Sequence, residues 1–132
     1  MLQHEAVQRN LTVASSGLKH NWITAIASDN NGGWTVGTYG AGVMQVSREG
    51  KVQAMTPSFV VNPNAILRTR QHLIAGSLGK GLWVENLATG RWANVMQGLP
   101  SENVTALAEH DGTIYVGTEG GLVKIAEESL GL

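Results

Sequence analysis

The stretch IYVGTEGGLVKI, residues 114–125, carries the pattern that decides the fold. Two looser copies precede it, WTVGTYGAGVMQV at 34–46 and LIAGSLGKGLWV at 73–84. Each copy contains a short apolar run that ends in glycine, a glycine-containing turn and a second apolar run. A chain that repeats one sequence pattern in this way is expected to repeat one structural unit.

The period of the repeat is about 40 residues, because the shared glycines Gly37, Gly76 and Gly117 lie 39 and 41 residues apart. Each unit is divided into runs of about four to six residues, such as NAILRT at 64–69 at the start of the second unit. This is the length of a strand rather than of a helix. Asn-Gly, Asp-Gly and Gly-Gly steps between the runs are typical of hairpin turns. Four antiparallel strands in about 40 residues is the size of one β-propeller blade.

Two other repeat architectures fit less well. A helical solenoid of similar period is disfavoured because glycine-rich turns interrupt the runs, and helix interiors disfavour glycine. Leucine-rich repeats have a shorter period of about 20–29 residues. The sequence therefore predicts an all-β chain.

The composition agrees with a folded all-β domain and excludes several functions. Hydrophobic residues make up 42% and charged residues 14%, with 17 glycines and 3 prolines. The net charge is −1 and no basic run occurs, so nucleic-acid binding and electrostatic membrane attachment are not expected. The absence of cysteine excludes disulfides, thiolate metal sites and a cysteine nucleophile. No cofactor is expected.

A family resemblance follows from the third copy. GLPSENVTALAEHDGTIYVGTEGGLVKI, residues 98–125, resembles the two-component regulator propeller repeat nearly throughout. The first copy keeps Gly17, Leu18 and the Trp-Thr-Val-Gly-Thr step, and the second keeps AGSLGKGLWV at 75–84. The resemblance implies a β-propeller of the kind that usually serves as a periplasmic sensing module of a larger receptor, with varied ligands.

The 132-residue chain is predicted to be one domain of three four-stranded blades. The blade units are approximately 17–57, 58–97 and 98–128, with an additional strand at 9–16. The third unit lacks a fourth run, whereas LTVASSGLKHNWITAI at 11–26 aligns with WANVMQGLPSENVTAL at 92–107. The N-terminal strand therefore corresponds to the fourth strand of a blade and is predicted to complete a third blade.

Three blades are too few to close a ring, which typically needs four to eight. We expect two chains to form a six-bladed homodimeric ring in which the N-terminal strand of each chain completes the last blade of the other. A nine-bladed trimer and a fragment of a larger propeller sensor are the alternatives. Without a secretory signal pattern at the start, the sequence indicates a cytoplasmic protein, or a periplasmic one if it is such a fragment.

The predicted function is a non-enzymatic binding or scaffold module that recognises a small polar ligand or a partner protein at the central face of the propeller. The candidate ligand-binding residues lie in the loops expected on that face, and each is equally typical of a solvated turn. They are Lys19, His20, Asn21, Trp22, Tyr39, Lys80, Glu102, Asn103 and Glu119. Asn62 and Asn64 are expected in the same loops. Trp22 is a candidate stacking platform for a flat ligand, and packing in the core or within its loop is the alternative, favoured reading of this residue.

The remaining features favour structural roles. Trp34, Trp83 and Trp92 fall within strands and are expected to pack between blades. The four histidines lack the spacing of a metal site, and no metal is predicted. A propeller-type lyase or hydrolase is a less favoured alternative, with His20 and Glu102 as the nearest acid–base pair.

Overall fold

The computed structural model describes residues 22–28, 32–56 and 59–130, and these residues form three antiparallel β-sheets. The predicted strand at 9–16 lies outside the described residues. The strands are β1 (Ile23–Ser28), β2 (Trp34–Thr38), β3 (Val43–Val46), β4 (Val52–Ala54), β5 (Val61–Arg68), β6 (His72–Ser77), β7 (Leu82–Asn86), β8 (Trp92–Val95), β9 (Val104–His110), β10 (Thr113–Thr118) and β11 (Gly121–Ala126), followed by a 3₁₀ helix (Glu127–Leu130).

Each sheet is one repeat unit, so the predicted all-β architecture of three blades is confirmed at this level. Blade 1 has the strand order β1-β2-β3-β4 and blade 2 the order β5-β6-β7-β8. Blade 3 has the order β9-β10-β11, which makes three strands within the described part of the chain. No helix among these residues is long and apolar enough to cross a membrane.

The first strands of successive blades lie side by side, with β5 between β1 and β9. Each is the first strand in the order of its own sheet, so the blades extend outward from a common inner edge. Main-chain contacts repeat at the two junctions. The Gly42 amide donates to the Phe59 carbonyl at 2.8 Å, and the Gly81 amide donates to the Glu102 carbonyl at 2.8 Å.

The repeated glycine permits close packing of one blade on the next. A Cβ at Gly37 would lie 2.5 Å from Val61 Cγ1, and a Cβ at Gly76 would lie 2.6 Å from Val104 Cγ1. Real side chains do not approach that closely, so any larger residue would push the blades apart. Both valines are fully buried.

Apolar clusters fill both junctions. Between blades 2 and 3, the cluster contains Ile74, Leu82, Val84, Val104, Ile114 and Val116. Between blades 1 and 2, Phe59 stacks on Trp83 with ring centroids 5.0 Å apart, and Trp92 packs against the same cluster. The predicted packing role of these two tryptophans is confirmed. Trp34 differs, because 51% of its surface is exposed on the side of blade 1 away from blade 2.

Strand β5 is longer and less regular than predicted. The sequence indicated a run beginning at Asn64, whereas the strand begins at Val61 and contains Pro63. Its pairing with β6 shifts register between Val61 and Ile66, and Asn64 has a φ of +59°. An irregularity of this kind lets a proline and a left-handed residue remain within a strand. Asn62 and Asn64 are therefore strand residues rather than loop residues.

Asp111 and Gly112 form the two-residue hairpin that the sequence predicts between β9 and β10. Both have positive φ, +51° and +78°, as the type I′ turn requires. Glu109 Oε2 accepts a hydrogen bond from the Gly112 amide at 2.9 Å. The Asp111 position is explained by this turn alone.

Candidate functional site

Three pairs of residues define the surface around the inner edge, which we call the central face. Each pair joins the residue just before a blade's first strand to the residue just after its second strand by one main-chain hydrogen bond. In these bonds Tyr39 N donates to Trp22 O at 3.0 Å, Leu78 N to Val60 O at 3.0 Å, and Glu119 N to Asn103 O at 3.1 Å. The pairs occupy equivalent positions in blades 1, 2 and 3 but differ in chemistry.

The turn beneath each pair is closed by a hydroxyl group, which explains the Gly-Thr and Gly-Ser steps of the repeat. The hydroxyls of Thr38, Ser77 and Thr118 donate to the carbonyls of Gly42, Gly81 and Gly121 at 2.9, 2.8 and 2.8 Å. They accept from the amides of Ala41, Lys80 and Gly120 at 2.9, 2.9 and 3.1 Å. Each turn is therefore held by its own blade.

Blade 1 presents two aromatic rings on the central face. The Trp22 and Tyr39 rings stack with centroids 4.2 Å apart and an interplanar angle of 18°. They remain 60% and 38% exposed, which is unusual for large rings in a small domain. Their mutual stacking and the main-chain bond between them hold the pair in place. The predicted platform at Trp22 thus includes Tyr39.

Blade 3 presents polar groups at the equivalent positions. Glu119 and Glu102 are exposed, whereas Asn103 is half-buried. Asn103 Oδ1 accepts a hydrogen bond from Asn62 Nδ2 at 2.9 Å, and the same Nδ2 donates to the Val104 carbonyl. Asn103 is therefore engaged in joining blades 2 and 3, while the two carboxylates face solvent.

Lys80 lies at the tip of the equivalent turn in blade 2, with an exposed side chain. Its carbonyl accepts from Asn94 Nδ2 at 2.7 Å, which ties the turn to the outer strand β8. The predicted residues Lys19, His20 and Asn21 lie outside the described residues. The structure thus brings Trp22 together with Tyr39, and places Lys80, Glu102, Asn103 and Glu119 around the same inner edge.

The described part of the central face offers stacking surface and hydrogen-bonding groups. Residues 22–28, 32–56 and 59–130 contain no group of three potential metal ligands. The suggested His20–Glu102 acid–base pair cannot be placed, because His20 is not among the described residues. The chemistry available here is recognition of a ligand by an aromatic surface and nearby polar side chains.

The sequence did not predict a buried polar cluster on the opposite side of the molecule. His72 Nδ1 lies 2.7 Å from Glu127 Oε2, and Thr69 Oγ1 donates to the same oxygen. An open groove of about 640 Å³ adjoins this cluster. It is lined by Arg70, Gln71, His72, Asn86, Leu87, Ala88 and Glu128. The sequence could not predict this cluster, because His72 was recognisable only by its position near a turn. Glu127 lies after the last run of the repeat and therefore has no counterpart in the other units.

Glu85 is an ionisable residue whose surroundings shift its pKa. It lies in β7 and is almost fully buried. Burial raises the pKa of the Glu85 carboxyl above its ordinary value of 4.5, and the nearby Arg68 charge partly opposes this. Glu85 is not on the central face, so the shift reflects packing within blade 2.

Comparison with protein families supports the predicted resemblance. Residues 98–120 match the family model described as Two component regulator propeller. This segment covers the start of blade 3 and the turn that carries Thr118 and Glu119. No curated protein matches the chain as a whole.

Solved structures share the fold. The extracellular domain of the putative hybrid two-component system BT4673 from B. thetaiotaomicron is 23% identical, with a TM-score of 0.70 over 86% of this chain. The corresponding domain of BT3049 from the same organism is 22% identical, with a TM-score of 0.69 over 85%. PorZ, a surface component of the type-IX secretion system of Porphyromonas gingivalis, is 21% identical, with a TM-score of 0.67 over 83%.

These likenesses concern the arrangement of strands and blades. The chain spans 16%, 16% and 18% of the length of those three chains. Its three sheets therefore correspond to a small part of much longer chains. The chain has a propeller-like fold, and its third unit contains a two-component regulator propeller repeat.

Proposed function

We propose that this protein is a non-enzymatic propeller module that binds a small polar ligand at its central face. The observation that carries the proposal is the exposed Trp22–Tyr39 stack, which is fixed on the frame of blade 1 beside polar positions of the neighbouring blades. Rigid aromatic surface with a few convergent polar groups is the usual composition of a ligand site. The likeness of the fold to extracellular domains of two-component systems supports a sensing role.

We further infer that two copies form a six-bladed ring. The support comes from the surface of blade 3 that faces away from blade 2, which we call the trailing flank. Leu122 on this flank is 68% exposed, whereas the equivalent residues Val43 and Leu82 are fully buried under the next blade. Its strand neighbour Gly117 repeats Gly37 and Gly76 in sequence. An exposed leucine beside a packing glycine favours a surface that another blade covers.

The occupant we infer is blade 1 of a second copy. In both internal junctions the residue packed on the glycine is the valine that begins the first strand, Val61 or Val104. Ile23 begins the first strand of blade 1 and has the matching position. Ile26 and Trp34, which are 61% and 51% exposed, lie on the same side of that blade and would be covered with it.

The solution mass tests the ring. We expect twice the chain mass of 14.0 kDa by light scattering. Leu122→Glu should give a folded monomer, because the leucine is exposed within its own chain and buried only in the ring. Leu78→Glu is the matched control, since Leu78 is a 45% exposed leucine on the central face and should leave the dimer intact. A wild-type monomer that remains folded would refute the ring and favour a fragment of a longer propeller.

Ligand binding at the central face is tested by a thermal-shift screen of small polar metabolites on the folded wild-type protein. A ligand should raise the melting temperature, and Trp22→Ala should abolish this shift while leaving the unliganded melting temperature nearly unchanged. Substitution of the equally large and half-exposed Trp34 is not a suitable control, because it lies in the inferred dimer contact. Leu78→Ala serves instead. A ligand whose effect survives Trp22→Ala would place the site elsewhere.

A further inference from the structure

We propose that the seam between two copies forms an additional feature of the site, a pocket for a small alkylammonium cation. It consists of Glu119 from one copy and the stacked Trp22 and Tyr39 of the other. The inference rests on the proposed ring and specifies both the position of the ligand and its chemical class. Neither half is sufficient, because one chain places its aromatic pair and this carboxylate on its first and last blades.

The position of the seam residues follows from the internal junction of the chain. Tyr39 of blade 1 forms an antiparallel bridge with Val60 of blade 2, so the residue after one blade's second strand lies beside the residue before the next blade's first strand. The second junction preserves the geometry, since the 2.8 Å bond from Gly42 N to Phe59 O is repeated from Gly81 N to Glu102 O. Applied to the seam, the same relation places Glu119 beside the partner's Trp22.

The two internal junctions do not create this combination. At the first, Tyr39 is next to Val60. At the second, the residues in the corresponding sequence positions are Leu78 and Asn103. A carboxylate next to an aromatic pair arises only where blade 3 meets blade 1. In a dimeric ring this occurs twice, so the expected stoichiometry is two ligands per ring.

The chemistry of the pair favours a cation with an apolar shell. The face of an indole ring attracts cations through its quadrupole, and an adjacent carboxylate compensates the charge of the ligand. Trp22 is 60% exposed and thus accessible to a ligand. Among the described central-face residues, the carboxylates Glu102 and Glu119 outnumber the single ammonium group of Lys80. An anionic ligand would meet the wrong sign of charge at the seam.

Isothermal titration of the wild-type dimer with choline tests the class of ligand. The matched probe is 3,3-dimethylbutan-1-ol, which has the same shape but no charge. We expect choline to bind at least tenfold more tightly, with about one site per chain. Equal binding of the two probes, or binding of neither, would overturn the proposal for a cation. The mass measurement would still report separately on the ring.

Single substitutions test the residues. Glu119→Gln should weaken choline binding about tenfold, and Trp22→Ala should abolish it. Glu102→Gln is the matched control, because Glu102 is an exposed carboxylate of the same blade that lies outside the inferred aromatic contact. Circular dichroism and solution mass should show that all three variants remain folded dimers. Equal losses in Glu119→Gln and Glu102→Gln would indicate general electrostatic attraction and overturn the specific contact.

A complementation experiment tests whether the site spans two copies. Chains carrying Glu119→Gln and Trp22→Ala are given different affinity tags, mixed, and the mixed dimer is purified through both tags. One of its seams then has the native Glu119 and the native Trp22, so choline should bind with wild-type affinity at half the wild-type stoichiometry. A mixed dimer of confirmed mass that binds no choline would overturn the seam site. Failure to isolate any dimer would overturn the ring itself.

Discussion

His72 Nδ1 and Glu127 Oε2 lie 2.7 Å apart and connect blade 2 to the 3₁₀ helix that follows blade 3. The side chains are only 7% and 13% exposed. Thr69 adds a hydroxyl bond to the same carboxylate oxygen, and its hydroxyl also accepts from the His72 amide at 2.9 Å. This cluster is the polar counterpart of the apolar packing between the two blades.

Glu127→Ala should destabilise the protein by about 1–3 kcal/mol, because it leaves the buried polar groups of His72 and Thr69 without their carboxylate acceptor. Chemical denaturation monitored by tryptophan fluorescence measures the change. Glu128→Ala is the control, since Glu128 is the exposed neighbour in the same helix and its removal should change stability by less than about 0.5 kcal/mol. Equal effects of the two substitutions would show that the His72–Glu127–Thr69 cluster does not stabilise the protein beyond what any glutamate in this helix contributes.

Two glycines at equivalent positions should respond differently to the same substitution. Gly76→Ala places a methyl group 2.6 Å from Val104 Cγ1 and should destabilise the chain by about 1–3 kcal/mol. At Gly117 the nearest atom to an added Cβ is Ala106 Cβ, at 3.3 Å, in the same open sheet. Gly117→Ala should therefore leave each chain folded and mainly weaken dimerisation. Thermal melts and concentration-dependent mass measurements separate these effects, and comparable unfolding of both variants would contradict the prediction.

The turn hydroxyls offer a second matched pair. Thr38 is fully buried, so Thr38→Val leaves the Ala41 amide without its acceptor and the Gly42 carbonyl with only the Thr38 amide as donor, and should cost about 1–3 kcal/mol. Thr118 makes the same two bonds in an exposed turn, where water can replace the hydroxyl. Thr118→Val should cost less than about 1 kcal/mol. Urea unfolding of both variants measures the difference, which should vanish if the turns are held by other contacts.

Stability should depend on pH through Glu85. Because burial raises the pKa of this carboxyl in the folded protein, its protonated form favours folding. That contribution is complete below the ordinary pKa of 4.5 and is lost as pH rises through the raised value. Glu85→Gln removes the titration. As pH rises from 4.5 to 7, the melting temperature of this variant should increase relative to that of the wild type. A difference between the two melting temperatures that is independent of pH would contradict the assignment.

The sequence predicted the fold more completely than the site. Repetition around Gly37, Gly76 and Gly117 located most strands to within one or two residues, because hairpin turns and strand length are local properties. Strand β5 was misplaced at its start, since Pro63 normally ends a strand and only pairing across the sheet shows that it is accommodated.

The partners within the site depend on contacts between distant parts of the chain. The sequence predicts Trp22 as a candidate stacking platform, but its stacking on Tyr39 arises from the closing of blade 1 into a sheet. Asn103 is predicted as a ligand-binding residue, and the sequence does not indicate that its side chain accepts a hydrogen bond from Asn62 of the preceding blade. A repeat pattern cannot predict such contacts, because it describes only the positions that the blades have in common. The contacts of Trp22 and Asn103 involve positions at which the blades have different residues.

The hydroxyl that closes each central turn separates the requirements of folding from those of recognition. The residue immediately after it is Tyr39 in one blade, Leu78 in the next and Glu119 in the third, yet a hydroxyl closes the turn in all three blades, although the third turn is one residue shorter. Mutation at these three positions can thus change the chemistry of the central face with little cost to its scaffold. A lineage of such chains could acquire new ligands one blade at a time, and a designer could do the same by randomising three codons.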